Sequence, residues 1–343
     1  MKNFQKSKEV VRNYIDEFDT AHVDHLEKVL AKHTSPEYHW RGMHPFYEQE
    51  GIKSVIGSFW RPFKKSFAPV QRREDIFFAG ENACDEGKSQ WVVSKGNFLG
   101  LFDRDWLGIP STGKMAFLSY VEFHRVNENY KIAETALFCD VIGIMDQAGQ
   151  YPLPPMTGAS FLYPGPKTQD GLLLEVQDHE ESLLTSKIMK QMVDDLDVLN
   201  KSGRCDCPKD ILLRSWTEDM VWYGPSGIGS SYTIDRYQQQ HQLPFRNNLS
   251  NKVFNGHVAR IAEGKYGGFF GWPNLYNKNM GGFLGLTKSE VHAPMRIVDI
   301  YRREGNKLAE NWVYIDILHY LYEQGLDVLE RMKSLNKNRG VTE

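Results

Sequence analysis

The sequence predicts an α+β protein made of two copies of one unit, each with helices packed on one face of an antiparallel sheet. His39-Trp40-Arg41-Gly42 is followed by Pro62, and Val221-Trp222-Tyr223-Gly224 is followed by Pro244, with the same 22-residue interval from Trp to Pro. A strand-like segment with an acidic residue at each end then closes each half, at 132–140 and at 308–316. A repeat of this length indicates a duplicated domain rather than a solenoid.

Apolar residues at helical spacing predict the opening elements of the first half. A stripe between Val10 and Phe18 predicts one helix, and a second continues through Lys32. A third helix is predicted over 51–62. Short apolar and aromatic runs, separated by Gly and Asn, then predict strands at 76–78, 91–93, 117–121 and 132–140.

Residues 146–177 form the predicted linker between a first domain over 1–145 and a second over 178–343. Prolines and glycines interrupt regular structure throughout its first part. The same stretch carries Phe161, Leu162 and Tyr163, so we expect it to pack on a domain.

The second half repeats the order of helices followed by strands, which is typical of an α+β unit. The predicted helices are Ser182–Asn200, Pro208–Trp216, Thr233–Asn247 and a final one from Leu318 to Met332. The predicted strands are Met220–Tyr223, His257–Ala262, Phe269–Trp272, Pro294–Tyr301 and Leu308–Ile317.

Composition argues against several classes of protein. The chain of 343 residues is 41% hydrophobic and 25% charged with a net charge of −3, which gives no electrostatic case for nucleic acid or an anionic membrane. It has no apolar run of about 18 residues and no secretory signal pattern, so we expect a cytoplasmic protein. Four cysteines do not suggest a disulfide framework, and Cys205-Asp206-Cys207 lacks the second ligand pair that a metal site needs.

Two segments carry a resemblance to a known family. The Gly-x-Pro-x-Thr-Gly-Lys turn at 108–114 and the Glu310-Asn311-Trp312 strand ending at Asp316 resemble those of the SnoaL-like polyketide cyclases, a branch of the nuclear transport factor 2-like (cystatin-like) fold. The resemblance runs once per half and implies two cone-shaped domains with N-terminal helices packed on a curved antiparallel sheet. The first half has Thr135-Ala136 in place of Asn311-Trp312, and the second has an altered turn at 284–288. We expect the second half to hold the working site.

The closing strand carries the predicted chemistry. Side chains alternate faces along a strand, so one face of the second copy carries Glu310, Trp312, Tyr314 and Asp316. Carboxyls among aromatic rings lose solvation, which raises their pKa and suits them to proton transfer. By resemblance to the cyclases, the acid/base role falls on Asp316, with Asp140 as its counterpart in the first half.

Other readings of these residues stay open. Glu310 could pair with Arg296 or Arg302 across the ladder, and Asp316 could cap the helix that follows it. His241 could shuttle protons or cap a helix C-terminus, and His257 is a further candidate.

Aromatic residues complete the predicted ligand-binding set. Trp222 could be core or a ligand platform, and Trp272 lies in a glycine-rich segment that could form a cavity mouth. The full set is Trp222, His257, Trp272, Glu310, Trp312, Tyr314 and Arg296.

The resemblance implies a cofactor-free enzyme of the cyclase, isomerase or dehydratase type acting on a small hydrophobic carbonyl compound. The alternative is a non-catalytic module that binds a small apolar ligand in the same pocket, because one fold hosts both. A structural pseudo-dimer with closed pockets is a third reading. No metal or cofactor is expected, and the chain is expected to be a monomer, as a pseudo-dimer of its domains, or a homodimer.

Overall fold

The computed structural model describes residues 4–338 and divides the chain into two compact units. One consists of Met1–Pro152, Lys167–Val176 and Val328–Glu343, and the other of Leu153–Pro166 and Gln177–Asp327. Each unit combines helices with one sheet, which confirms the predicted α+β class.

Helices come before and after the strands of each unit. Those of the first repeat are α1 (Gln5–Thr20), α2 (Leu26–His33), α3 (Ile52–Val55), α4 (Arg61–Ser66) and α5 (Val141–Gln147). Those of the second are α6 (His179–Lys201), α7 (Lys209–Leu212), α8 (Ile234–Tyr237), α9 (Leu243–Asn248) and α10 (Ile317–Glu323), and α11 (Val328–Asn338) follows.

The first sheet has the strand order β2-β1-β6-β5-β4-β3, with β1 parallel to β6 and the other neighbours antiparallel. Its strands are β1 (Thr34–Gly42), β2 (Glu48–Glu50), β3 (Val70–Glu81), β4 (Gln90–Leu101), β5 (Met115–Val126) and β6 (Ile132–Cys139). Helix α1 lies against β3 and β4.

The second sheet repeats this plan in the order β10-β11-β12-β13-β7-β8, again with one parallel pair, between β7 and β13. Its strands are β7 (Trp216–Tyr223), β8 (Ser231–Tyr232), β9 (Leu249–Phe254), β10 (Ala259–Glu263), β11 (Tyr266–Asn279), β12 (His292–Glu304) and β13 (Lys307–Ile315). The short β9 pairs with the far end of β11. Helix α6 lies against β10 and β11.

The repeated Trp-x-Gly motif has a packing reason. In a strand, residues two apart point to the same face, so each tryptophan lies over the glycine that follows it. A Cβ at Gly42 would lie 2.2 Å from the ring of Trp40, and one at Gly224 would lie 1.9 Å from the ring of Trp222. Only glycine leaves room for the indole at this point of both repeats.

The helices that precede Pro62 and Pro244 share the same departure from regular α-helical geometry. A π-helical turn occupies Ile56–Trp60 in the first unit and Gln238–Gln242 in the second. Proline supplies no backbone N–H, so the regular hydrogen-bond ladder cannot continue unchanged at this position. Such turns are frequent at functional sites, and the second one contains His241.

Two of the predicted helices differ in the structure. Within 208–216 a single helical turn forms, α7, and Trp216 already begins β7. The predicted final helix is two helices, α10 and α11, separated at Gly325, which has a φ of 88°. Glycine adopts this left-handed backbone readily and therefore ends α10.

The unit boundaries also differ from the predicted ones. Leu153–Pro166 belongs to the second unit, and Lys167–Val176 belongs to the first, where Phe77 donates its backbone N–H to the Gly171 carbonyl at 2.8 Å. Helix α11, assigned to the second domain from sequence, clusters with the first unit and buries Val328 and Met332. The unit to which α11 belongs is decided by where these apolar side chains are buried and not by their place in the sequence.

Across residues 4–338, no helix is long and apolar enough to cross a membrane. Within the same range, no three His, Cys, Asp or Glu side chains come together as a set that could hold a metal ion.

Candidate functional site

The second unit encloses a cavity of about 160 Å³ between its helices and its sheet. The α6 residues Met192, Leu196 and Asn200 form one wall, at a spacing that places them on one side of the helix. The α8–α9 region and strands β11, β12 and β13 form the others. Most of the lining is apolar or aromatic, as in small-molecule sites.

The cavity faces the side of β13 opposite to the predicted one. Asn311, Val313 and Ile315 line it, whereas the predicted set Glu310, Trp312, Tyr314 and Asp316 is absent from its lining. Alternation along the strand groups these residues correctly, but it does not tell which group faces the helices.

Other parts of the second unit cover the predicted face. Glu310 is ion-paired with Arg302 on β12, which was one of the alternatives read from the sequence. The Trp312 indole Nε1 donates to the Pro164 carbonyl at 2.9 Å. Tyr314 packs edge-on against Tyr163, with ring centroids 5.7 Å apart. The Pro-rich segment 153–166 therefore occupies the space in which a ligand was expected.

Asp316 has the capping and pairing contacts that were weighed against catalysis. It is fully buried at the start of α10, where its Oδ1 accepts from the His319 N–H at 3.2 Å. Its Oδ2 lies 3.4 Å from Arg296, whose guanidinium stacks on Trp272 at 4.2 Å. Arg296 and Trp272 are likewise absent from the cavity lining.

Asp140 has the equivalent place in the first unit. Its Oδ1 accepts from the Gly143 N–H at 2.8 Å and caps α5. Both repeats thus use the strand-end aspartate to begin the helix that follows.

Trp222, His241 and His257 do line the cavity. His241 stacks on Trp222 with ring centroids 3.9 Å apart, and His257 stacks on Phe269 at 4.0 Å. Burial, helped by Arg246 for His241 and by Arg260 for His257, lowers the pKa of each imidazole to about 3. Both rings are therefore neutral at pH 7 and form flat walls.

Asp299 on β12 is the carboxyl on the sheet side of the cavity, and it was not selected from the sequence. The Asn311 Nδ2 donates to its Oδ1 at 3.2 Å, and the Tyr301 hydroxyl is hydrogen-bonded to the same carboxyl. Burial raises the pKa of Asp299 to about 6, against the opposing effect of these two donors. Among residues 4–338, no cation forms an ion pair with it. An acid flanked by the apolar pairs Ile297-Val298 and Ile300-Tyr301 is the signal that could have found it.

Two neutral donors face the same cavity. The Tyr237 hydroxyl accepts from Gln242 Nε2 at 2.7 Å, and no described residue accepts its proton. Burial, with Cys207 and Asp299 adding to it, raises the pKa of Tyr237 well above its ordinary value. The buried Trp216 Nε1 has no hydrogen-bond partner among the described residues. The Tyr237 O–H therefore keeps its proton for a ligand, whereas the Trp216 N–H is buried away from solvent.

In the first unit, the carboxyl at the equivalent position is ion-paired. Glu122 lies opposite Leu137 on the neighbouring strand, as Asp299 lies opposite Val313. Arg72 Nη1 donates to the Glu122 carboxylate at 2.6 Å, and both side chains are buried. The aromatic rings of Trp60, Phe63, Phe98 and Tyr120 fill the surrounding interior. Of these two equivalent carboxyls, Glu122 has a cationic partner and Asp299 has none among the described residues.

The fold and site together describe a tandem α+β protein with a small apolar cavity in its second unit. No family model matches the sequence, and no curated protein matches it. Among solved structures it is similar to a protein from Jannaschia sp. CCS1 assigned as a SnoaL-like polyketide cyclase, with 20% identity over 44% of this chain and 94% of that chain, at a TM-score of 0.34.

Two further solved structures match over a similar share of the chain. One is IdmH from Streptomyces antibioticus, assigned as a polyketide cyclase, with 12% identity over 42% of this chain and 98% of that chain, at a TM-score of 0.34. The other is AclR from Streptomyces galilaeus, assigned as a hydroxylase, with 15% identity over 45% of this chain and 90% of that chain, at a TM-score of 0.35. SnoaL-like polyketide cyclases are thus among the structures that this chain resembles, and identities this low bear on the fold alone.

Proposed function

We propose that the second unit catalyses cofactor-free proton transfer on a small apolar carbonyl compound, with Asp299 as the acid/base group. Aldol cyclisation, isomerisation and dehydration all begin with such a step. The observation that carries the proposal is a cavity-facing carboxyl, held by Asn311 and Tyr301, that has no cationic partner among the described residues. We therefore assign to Asp299 the acid/base role that the resemblance gave to Asp316.

In the proposed step, the Asp299 carboxylate removes a proton from the carbon next to the carbonyl. The C–H bond breaks, an O–H bond forms on Asp299, and the electron pair moves to the carbonyl oxygen as an enolate. The Tyr237 hydroxyl is available to donate a hydrogen bond to that oxygen. A donor that is already fixed in place stabilises such charge without reorganisation during the reaction. The protonated Asp299 then returns its proton to another atom of the substrate.

The size of the cavity supports a compact substrate. A closed cavity of about 150 Å³ holds one benzene molecule. The cavity here is about 160 Å³ and is partly open to solvent, so it can receive one ring of a bicyclic ketone. The apolar walls favour a ring compound, and the neutral histidine rings add flat surfaces against which it can stack.

The test is exchange of the protons next to the carbonyl of 2-tetralone for deuterium, followed by NMR in D₂O. The wild-type protein is expected to accelerate the exchange above the buffer rate in proportion to its concentration. Binding of 2-tetralone without any acceleration would instead support the non-catalytic binding module.

The exchange should depend on pH through Asp299. Only the ionised carboxylate can accept a proton, and its pKa is about 6. The rate constant is therefore expected to rise about tenfold per pH unit below pH 6 and to level off above it. His241 and His257, with pKa values near 3, add no step between pH 5 and 8. A midpoint near 4, where a solvated carboxyl titrates, would contradict the assignment.

Substitution of Gly224 by Ala should damage the cavity wall. The new Cβ would lie 1.9 Å from the Trp222 ring and 2.5 Å from the Gly229 carbonyl oxygen, so the indole must move. We expect a loss of stability of about 1–3 kcal/mol and weaker binding of 2-tetralone. Gly42→Ala is the matched control, because it displaces Trp40 in the first unit. It should lower stability and leave binding by the folded protein unchanged; equal effects of both variants on binding would contradict this role of Trp222.

A further inference from the structure

Arg246 is a buried cation in the wall of the same cavity. Its side chain is on α9, and the residue is only 4% exposed. Its Nε donates to Gln242 Oε1 at 3.0 Å, and its Nη1 donates to Asn200 Oδ1 at 3.3 Å. Both acceptors are neutral amides. A guanidinium has five N–H donors, and besides these two bonds that of Arg246 is hydrogen-bonded to the Cys207 thiol.

The charge of Arg246 has no ion-pair partner within the described part of the chain. No carboxylate among residues 4–338 forms an ion pair with it. Its nearby thiol, Cys207, is neutral at pH 7 because burial raises the pKa of that group. Arginine is almost never buried without a paired anion, since a lone charge loses its hydration.

Two acidic residues near this end of the cavity form ion pairs with other cations. Asp197 lines the cavity one turn before Asn200, and its Oδ2 is paired with Lys201 at 2.6 Å. Asp206 lies within electrostatic reach of Arg246, but it is paired with Arg204 at 2.6 Å on the surface. Neither forms an ion pair with Arg246 among the described residues, so a bound anion would complete its pairing.

A path of contacts joins Arg246 to the proposed reaction centre. Gln242 accepts from Arg246 and donates to the Tyr237 hydroxyl at 2.7 Å. Tyr237 in turn lies close enough to Asp299 for that carboxyl to raise its pKa. The cavity therefore has a cationic group on its α9 side and the proton-transfer group on its sheet side.

We infer that the ligand of this cavity is an apolar carbonyl compound that also bears a carboxylate, and that Arg246 receives the carboxylate. The identity of the cavity as a reaction site rests on the proposed function, whereas the recognition of the acid does not. A planar guanidinium matches a carboxylate with two parallel hydrogen bonds, which an ammonium group cannot do. The bound acid is held at Arg246 while the rest of the molecule lies towards Asp299.

The test compares 4-methylbenzoate with 4-methylbenzamide, which have nearly the same shape and differ in charge. Dissociation constants are measured by calorimetry at pH 7 for wild type, Arg246→Gln and a surface control, Arg236→Gln. Arg236 is exposed on α8 and contacts Gln239. Wild type and the control are expected to prefer the acid by about 10–100-fold. Arg246→Gln is expected to lose this preference while its affinity for the amide stays within about threefold of wild type.

Three results would overturn the inference. They are equal binding of acid and amide by wild type, no binding of either compound at millimolar concentration, and a preference that survives in Arg246→Gln. A crystal structure of wild type with 4-methylbenzoate needs no variant to fold, and a carboxylate bound away from Arg246 would also overturn it. Neither compound has a C–H proton on the carbon next to its carbonyl. These results are therefore independent of whether Asp299 catalyses proton transfer.

Discussion

Replacement of Asp299 by Asn is expected to slow the exchange of 2-tetralone by about 10²–10⁴-fold, the range typical of a lost general base. Asn keeps the size of the side chain and its contact with Asn311, but it cannot accept a proton from carbon. Because the ionised carboxyl loses solvation in the cavity, the variant should be at least as stable as wild type and should still bind the ketone. Exchange by NMR and binding by calorimetry measure the two properties separately.

Asp316→Asn is the matched control for this variant. It removes the negative charge that pairs with Arg296 and weakens the cap of α10. We expect it to lower the melting temperature and to leave the exchange rate of the folded protein within about threefold of wild type. A large loss of exchange in Asp316→Asn with none in Asp299→Asn would return the acid/base role to Asp316.

Replacement of Arg72 by Met should destabilise the first unit by about 3–5 kcal/mol, the cost of breaking a buried ion pair from one side. Arg72 donates to Glu122 at 2.6 Å and to Asp19 at 2.8 Å, and its own side chain is only 3% exposed. Met fills much of the same space but leaves the Glu122 carboxylate buried without its cation. Urea unfolding of the full chain measures the change.

Arg73→Met is the control, because Arg73 is the exposed neighbour on β3, and among residues 4–338 its side chain donates only to Gln71, at 3.2 Å. Its effect should lie within about 0.5 kcal/mol. Equal stability of the two variants would mean that Arg72 does not neutralise Glu122. The double change Arg72→Met with Glu122→Leu should recover part of the loss, since an apolar pair needs no hydration.

Much of the architecture could be read from the sequence. The Trp-x-Gly motif, the proline 22 residues later and the acidic closing strand occur in equivalent elements of both units, β1 and β7, α4 and α9, β6 and β13. Periodicity found these elements because local spacing follows from strand and helix geometry. The assignment of α11 to its unit was not readable, because it depends on burial of Val328 and Met332 far from their neighbours in sequence.

The candidate site was predictable only in part. Trp222, His241 and His257, which were selected from the sequence, line the cavity, and their predicted roles stay predictions. Asp299 was missed because its contacts with Asn311 and Tyr301 depend on how β12 and β13 are paired. Arg246 was missed because only the packed structure shows that no described carboxylate forms an ion pair with it.

The sequence by itself determined the duplication, the α+β class and which residues of β13 share a face. Only the tertiary structure decided which of the two faces borders the cavity. Alternation is symmetric, so it groups Glu310 with Asp316 and Asn311 with Val313 without orienting either group. Segment 153–166 packs over Trp312 and Tyr314, and the helices enclose the other side. The contacts of segment 153–166 join residues more than a hundred positions apart, and no local pattern specifies them.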